Sequence, residues 1–289
     1  MTILENPPSG ATAGRVALTI YRGRTGDRNP RAMQGSAVLG RALGARMGVA
    51  PKVIGESLPP LGERWDVELA AARPGLRELA ATCRAALDAG QAPVSAIGRC
   101  AAALGTLPVI ARRWPEICLV WFDAHADCNT PTSIARPYLG GMPISAAAGL
   151  WDSGLGSGLR LENVVLVGSR DIDPDEWELI HAGAPRLLPV GPDLATRLHE
   201  TIAGRVVYVH LDCDVLEPGI VPTEYLSPGG LTLQDLRETM EVLARGHTIG
   251  LEIAEYEATW PDGDQAASPE GLVDAVEPLI DSFLKPPEA

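Results

Sequence analysis

Trp121-Phe122-Asp123-Ala124-His125-Ala126-Asp127-Cys128-Asn129-Thr130-Pro131 closes an apolar run that begins at Ile117, and Val209-His210-Leu211-Asp212-Cys213-Asp214 closes another that begins at Val206. Each is a strand-like stretch ending in closely spaced side chains of metal-ligand type. Continuous apolar runs rich in Val and Ile suit parallel strands covered on both faces. Working outward, the pattern predicts further strands at 15–21, 94–97, 164–167, 186–189 and 248–253, beside 117–122 and 206–211. Helices are expected at 32–47, 75–89, 100–112, 175–181, 192–203, 233–245 and 269–284, with Gly/Pro-rich loops at 153–158 and 227–230. The alternation of strand and helix indicates an α/β protein with a mainly parallel sheet. Ligands of open parallel sheets bind beyond the carboxyl ends of the strands. Both clusters lie at such ends and are expected to share one site.

The 289 residues are 46% apolar but only 4% aromatic, so Leu, Val, Ile and Ala must fill a sizeable core. No repeat or linker interrupts the chain, and one domain over 1–289 is expected, with 1–13 and 285–289 as loose ends. A net charge of −13 removes the basic face that phosphate neutralisation requires, so no nucleic-acid partner is expected. The five cysteines, Cys83, Cys100, Cys118, Cys128 and Cys213, are odd in number and form no CxxC, so reduced thiols and a cytoplasmic location are expected. Residues 1–13 carry neither the basic nor the apolar region of a secretory signal. No apolar run reaches the length of a membrane span, so no membrane partner is expected. Gly154-Leu155-Gly156-Ser157-Gly158 precedes its strand instead of following it, which is the wrong order for a phosphate-cradling loop.

Side chains alternate along a strand, so Asp212 and Asp214 project together and His210 shares their direction. Like charges so placed repel unless a cation separates them. A solvated loop or a helix-capping pair is the competing reading for either cluster alone. Asp123, His125 and Asp127 add three more ligands at the same spacing, and the two clusters in this order favour metal. Carboxylates with one imidazole suit Mn²⁺ best, with Zn²⁺, Co²⁺ or Fe²⁺ as competitors. Shared carboxylates hold two ions about 3.5–4 Å apart, and a water between them loses a proton near neutral pH to become a nucleophile. His210 reads either as a side chain orienting a ligand or as a satisfied core histidine.

The chain resembles the ureohydrolases, the arginase and agmatinase family of binuclear manganese enzymes. The resemblance covers most of the chain. It rests on Asp123-Ala124-His125-Ala126-Asp127, Asn129-Thr130-Pro131, Gly141-Met142-Pro143, Ser169-Arg170-Asp171-Ile172-Asp173, Asp212-Cys213-Asp214, Gly229-Gly230-Leu231 and Gly250-Leu251-Glu252-Ile253-Ala254-Glu255. It implies a three-layer α/β/α, arginase-like fold, two Mn²⁺ per chain and a small guanidino amino acid as substrate. It further implies that Asp123 and Asp212 bridge both ions, that His125 and Asp214 complete one, and that Asp127 binds the other. Glu255 would face the substrate's guanidine carbon, and Glu255 and Asp127 carry over as catalytic carboxylates. Asn129, Asp173 and Glu176 stand where the family contacts the amino acid's α-groups. Arg136 either pairs with the α-carboxylate or is a solvated loop residue.

Two departures narrow the reading. Where the family has Gly-Gly-Asp-His-Ser, this chain reads Ile97-Gly98-Arg99-Cys100-Ala101, with Cys100 in place of the metal-binding His. A thiolate is a competent ligand; the alternative is a small buried thiol. At Gly140 arginases carry a His that is thought to pass a proton to the departing amine, which glycine cannot do, and such transfer is worth about 10²–10⁴ in rate. The combination resembles the branch of the family that hydrolyses Nω-hydroxy-L-arginine to hydroxyurea and L-ornithine in D-cycloserine biosynthesis. An N-hydroxyl lowers the basicity of the guanidine and can relay a proton. An arginase or agmatinase with an unusual site, or an inactive metal-binding paralogue, are the alternatives. The chain ends soon after its last helix, without the tail many arginase trimers use, so a monomer is expected over a trimer.

Overall fold

A computed structural model describes residues 15–133, 137–261 and 265–285. Its strands are β1 (Val16–Tyr21), β2 (Lys52–Ile54), β3 (Ala92–Ile97), β4 (Cys118–Phe122), β5 (Val164–Val167), β6 (Arg186–Leu188), β7 (Val206–Asp212) and β8 (His247–Ala254). Its helices are α1 (Arg31–Met47), α2 (Trp65–Asp88), α3 (Ala103–Arg113), α4 (Pro143–Ala147), α5 (Pro174–His181), α6 (Leu194–Ile202), α7 (Leu233–Arg245) and α8 (Glu270–Leu284). The strands form one eight-stranded sheet in the order β2-β1-β3-β8-β7-β4-β5-β6, and every pairing is parallel.

Alternation along the strands builds two cores, one on each face. In β4, Cys118, Val120 and Phe122 join the core covered by α1, α6, α7 and α8. Leu119 and Trp121 join the one covered by α2, α3 and α4. This is the two-residue period of a sheet buried on both sides, and it gives the three-layer α/β/α architecture.

The structure departs from the expected elements where tertiary packing overrides local signals. β2 was not foreseen: it is a three-residue edge strand with Lys52 and Val53 exposed, too short to show a period. α2 starts at Trp65, ten residues or so before the expected helix at 75, and runs through Pro74. Its buried Leu69, Ala72, Leu76, Leu79 and Cys83 keep helical spacing across the proline, and Pro74 itself lies on the exposed side. The helix expected from 100 begins as a 3₁₀ turn, Cys100–Ala102, before α3. Among the described residues, no helix is long and apolar enough to cross a membrane.

Candidate active site

Parallel pairing puts the ends of β3, β8, β7 and β4 side by side. Phe122 is level with Leu211, so Asp123 and Asp212 follow on adjacent strands. Asp212 is level with Ala254, so Glu255 emerges beside it. The Glu255 amide donates to the Gly98 carbonyl at 3.1 Å, tying the end of β8 to the turn that presents Arg99 and Cys100. Asp127 and Glu255 both adopt positive φ, 51° and 63°, a conformation that costs a non-glycine residue and concentrates at functional sites.

The side chains expected to bind metal converge. Ligand atoms of Cys100, Asp123 and Asp127 lie within 4.8 Å of one another, as do those of Asp123, His125 and Asp214. Cys100, Asp212 and Glu255 form a third such group. His125 Nδ1 stands 3.1 Å from Asp214 Oδ2 and 3.2 Å from Asp123 Oδ1. Strand alternation does not bring Asp214 there, because it lies in the 3₁₀ turn Cys213–Val215. The Asp214 amide donates to Asp212 Oδ1 at 2.7 Å and the Ala124 amide to Asp214 Oδ1 at 3.0 Å, which fixes both carboxylates.

The electrostatics ask for cations. Burial raises the carboxyl groups of Asp123, Asp127 and Asp212, and neighbouring carboxylates push the same way. Burial also opposes ionisation of Asp214, but its bond with His125 holds it below its ordinary value. Burial works against charge on His125, yet hydrogen bonds to Asp123 and Asp214 raise its basicity far above normal. The Cys100 thiol is driven up by burial first and then by Asp212. A bound cation reverses this logic for every one of these acids. Asp127 Oδ2 is buried with no hydrogen-bond partner, a cost in free energy that a cation would remove. Oxygen, nitrogen and sulfur donors in this set fit divalent transition ions.

Cys100 belongs to a buried relay. Its Sγ lies 2.9 Å from Asp212 Oδ2 and 3.1 Å from His210 Nε2. His210 Nδ1 is 2.8 Å from Glu252 Oε1, and its ring stacks on Trp121 with centroids 3.5 Å apart. Thr106 and Tyr208 hydroxyls donate to Glu252 Oε2 at 2.7 and 3.0 Å. His210 is thus a buried imidazole with a partner on each ring nitrogen, one of them Cys100.

The pocket above these groups has a volume of about 250 Å³ and is lined by Cys100, His125, Asp127, Asn129, Asp173 and Glu255 among others. Asn129 Nδ2 donates to Asp173 Oδ2 at 2.8 Å. Glu176 also lines the pocket, but both its oxygens are taken by backbone: the Cys128 amide at 2.8 Å and the Asp173 amide at 3.0 Å. Glu176 thus braces the segment that carries Asn129 and Asp173. Burial raises its carboxyl to about 7, against those two amides. Arg136 lies outside the described residues.

Several contributors carry no motif of their own. A Cβ placed on Gly140 would run into the Tyr138 ring, so Tyr138 fills the space a side chain there would need. Arg28 lies over the rings of Tyr138 and Tyr225, 4.6 and 5.6 Å from their centroids, at the pocket wall. Arg99, fully buried beside Cys100, pairs with Asp27, Glu224 and Glu255. Burial drives Glu255 up to about 7 even with Arg99 pulling it down. A charge at the end of an apolar strand, as at Arg99, and another inside one, as at Glu252, were the available signals: each needs a buried partner.

Residues 56–268 match the model of the arginase family. The chain is 37% identical over 273 residues to an Nω-hydroxy-L-arginine amidinohydrolase of Streptomyces lavendulae, covering 94% of this chain and 100% of that one. It is 27% identical over 258 residues to the arginase of Bacillus caldovelox, covering 81% and 86% of the two chains. The solved structure of Bacillus caldovelox arginase superposes with a TM-score of 0.80 over 95% of this chain and 100% of that one, at 23% identity, a likeness of fold.

Proposed function

Because the chain belongs to the arginase family, we propose that it is an amidinohydrolase that cleaves Nω-hydroxy-L-arginine to hydroxyurea and L-ornithine. The observation that carries this reading is the full-length likeness to the Streptomyces lavendulae hydroxyarginine amidinohydrolase. The pocket supports it, having no imidazole at Gly140 and a Tyr138 ring where one would stand.

Cys100 and Asp127 would hold one ion and His125 and Asp214 the other, with Asp123 and Asp212 shared; the closeness of these atoms supports the assignment. Mn²⁺ fits the oxygen donors, and Cys100 adds a softer one. Two ions bound there would supply a water acidic enough to attack near neutral pH. In the overall reaction, water oxygen joins the guanidine carbon and becomes the carbonyl of hydroxyurea. The bond from that carbon to the δ-nitrogen breaks, and the nitrogen leaves as the ornithine amine with a proton from water. Asn129 and Asp173 would hold the α-groups, joined by Arg136, and Glu176 would keep their loop in place. Glu255 would face the guanidine. With glycine at 140, proton delivery to the amine falls to the substrate's own hydroxyl.

The test is a product assay on the manganese-loaded protein with both substrates. Hydroxyurea should form faster than urea forms from L-arginine; equal or faster urea release refutes the reading. Metal analysis should give about two ions per chain.

A further inference from the structure

Arg99 is 0% exposed and sits directly before Cys100 at the end of β3. Its guanidinium meets four carboxylates. Nη1 donates to Glu255 Oε2, Nε donates to Asp27 Oδ1 at 3.2 Å, and Nη2 pairs with Glu224 and lies 3.6 Å from Glu257 Oε1. Of these four, Glu255 is the one that lines the pocket. Its other oxygen accepts the Cys100 amide at 3.0 Å. The carboxylate that faces the guanidine is therefore already half of a buried ion pair. Glu257, behind it, is held by Arg31 at 2.6 Å.

Resting on the function proposed above, we propose that Arg99 determines specificity: by setting a fixed positive charge against Glu255 it disfavours a guanidinium cation and favours a neutral N-hydroxyguanidine. L-Arginine keeps its charge at any working pH. Seated on Glu255, it would place a second cation against the same carboxylate as Arg99. Two unit charges roughly 6 Å apart at an effective dielectric of about 20 repel by a factor of about 100 in binding. An uncharged substrate avoids that repulsion and still finds acceptor capacity on Glu255, since a carboxylate offers about four lone-pair positions. Arg99 does not touch the substrate; it acts through Glu255 as a positioning residue.

The test begins with the metal-loaded wild type on Nω-hydroxy-L-arginine. Turnover supports the proposed function whatever Arg99 does. No turnover sinks that function, and Arg99 is then judged by calorimetry alone, with cationic L-arginine and neutral L-citrulline as probes. Asp27→Asn/Arg99→Gln removes the cation together with one counter-charge, limiting the unpaired buried charge. In it, L-arginine should gain about tenfold over Nω-hydroxy-L-arginine in kcat/KM, through KM, the roughly 100-fold relief from losing Arg99 being offset about tenfold by the lost counter-charge, and should bind tighter relative to L-citrulline by a similar factor. Arg99→Lys should retain the wild-type ratio. A folded double variant that loses both substrates equally, with no shift in the two binding constants, overturns the proposal. Should the double variant not fold, Glu224→Gln decides: Glu224 is 15% exposed, so its loss is tolerable. It strips a counter-charge from Arg99 and should widen the preference for hydroxyarginine by about tenfold. An unchanged ratio there also overturns it.

Discussion

The ends of β4 and β7 and the ends of β3 and β8 meet over one pocket but are built on opposite plans. On the β4/β7 side, short backbone hydrogen bonds hold crowded carboxylates, Asp123, Asp212 and Asp214, with His125 against them. Their charge is left for something outside the chain to balance. On the β3/β8 side the chain supplies cations of its own: Arg99 pairs with Glu255, Asp27 and Glu224, and Arg31 with Glu257, while Glu252 meets His210 of β7. A site for cations needs the first arrangement, whereas a site that selects its substrate by charge needs the second. The difference teaches that one pocket can crowd carboxylates at one set of strand ends and pair them with arginine at the next.

Breaking the cation-seeking side should have the largest effect. Asp212→Ala removes a carboxylate proposed to be shared by two ions; bound metal and turnover should fall by well over 100-fold, since even outer partners of ligands cost about 10–100-fold. Metal analysis and the hydroxyurea assay check both. Activity retained at the wild-type level would falsify the shared-carboxylate assignment.

His210 joins the two sides, standing on β7 between Cys100 and Glu252. His210→Ala leaves Glu252 buried without its imidazole partner. Losing a buried hydrogen-bond partner costs about 1–3 kcal/mol, and metal affinity should drop about 10–100-fold. Urea denaturation and metal titration are the measurements; a loss confined to stability, with metal affinity intact, would make His210 a packing residue.

The pH dependence of the metal-free protein sharpens the contrast further. Glu255 and Glu176 sit at about 7 in the fold against an ordinary value of 4.5, chiefly through burial. A carboxyl raised by folding is taken up protonated, so its contribution is complete below about 4.5 and is lost as pH climbs to about 7. Each group should remove on the order of 3 kcal/mol across that window. Denaturation of the metal-free protein at pH 5 and pH 7.5 should show stability falling with pH, and added Mn²⁺ should flatten the slope. Stability rising over that interval would contradict the burial of these carboxyls.

The smallest effect is expected at Gly140. Gly140→His restores the imidazole of arginases but drives its Cβ into the Tyr138 ring. Overpacking of this kind costs about 1–3 kcal/mol, so Tm should fall without a gain on L-arginine. Gly140→His/Tyr138→Ala should recover the space and raise urea release.

Much of the fold was legible because its strands are long apolar runs with Val and Ile, and β4, β5 and β7 fall within a residue or so of their expected bounds. β2 was not, since an exposed edge strand of three residues carries no period. Pro74 hid the start of α2, because packing of Leu69 and Ala72 outweighs the lost hydrogen bond. At the site, Asp123, His125, Asp127, Asp212 and Asp214 announced themselves by spacing. Glu252 and Arg99 did not, because a lone charge does not say which partner it will meet.

Local periodicity was enough to set clustered carboxylates and an imidazole at the ends of parallel strands, because it places side chains on a face and ends the run. Residue type alone located the two departures, Cys100 and Gly140. What surrounds them came from the packing of distant segments. Asp27 reaches Arg99 from 72 residues upstream, Glu224 from the loop after β7 and Glu257 from beyond β8. Tyr138 closes over Gly140 through the fold of its own loop. Charge pairing and steric closure depend on distances between atoms far apart in the chain, and those distances exist only once the sheet has brought its strand ends together.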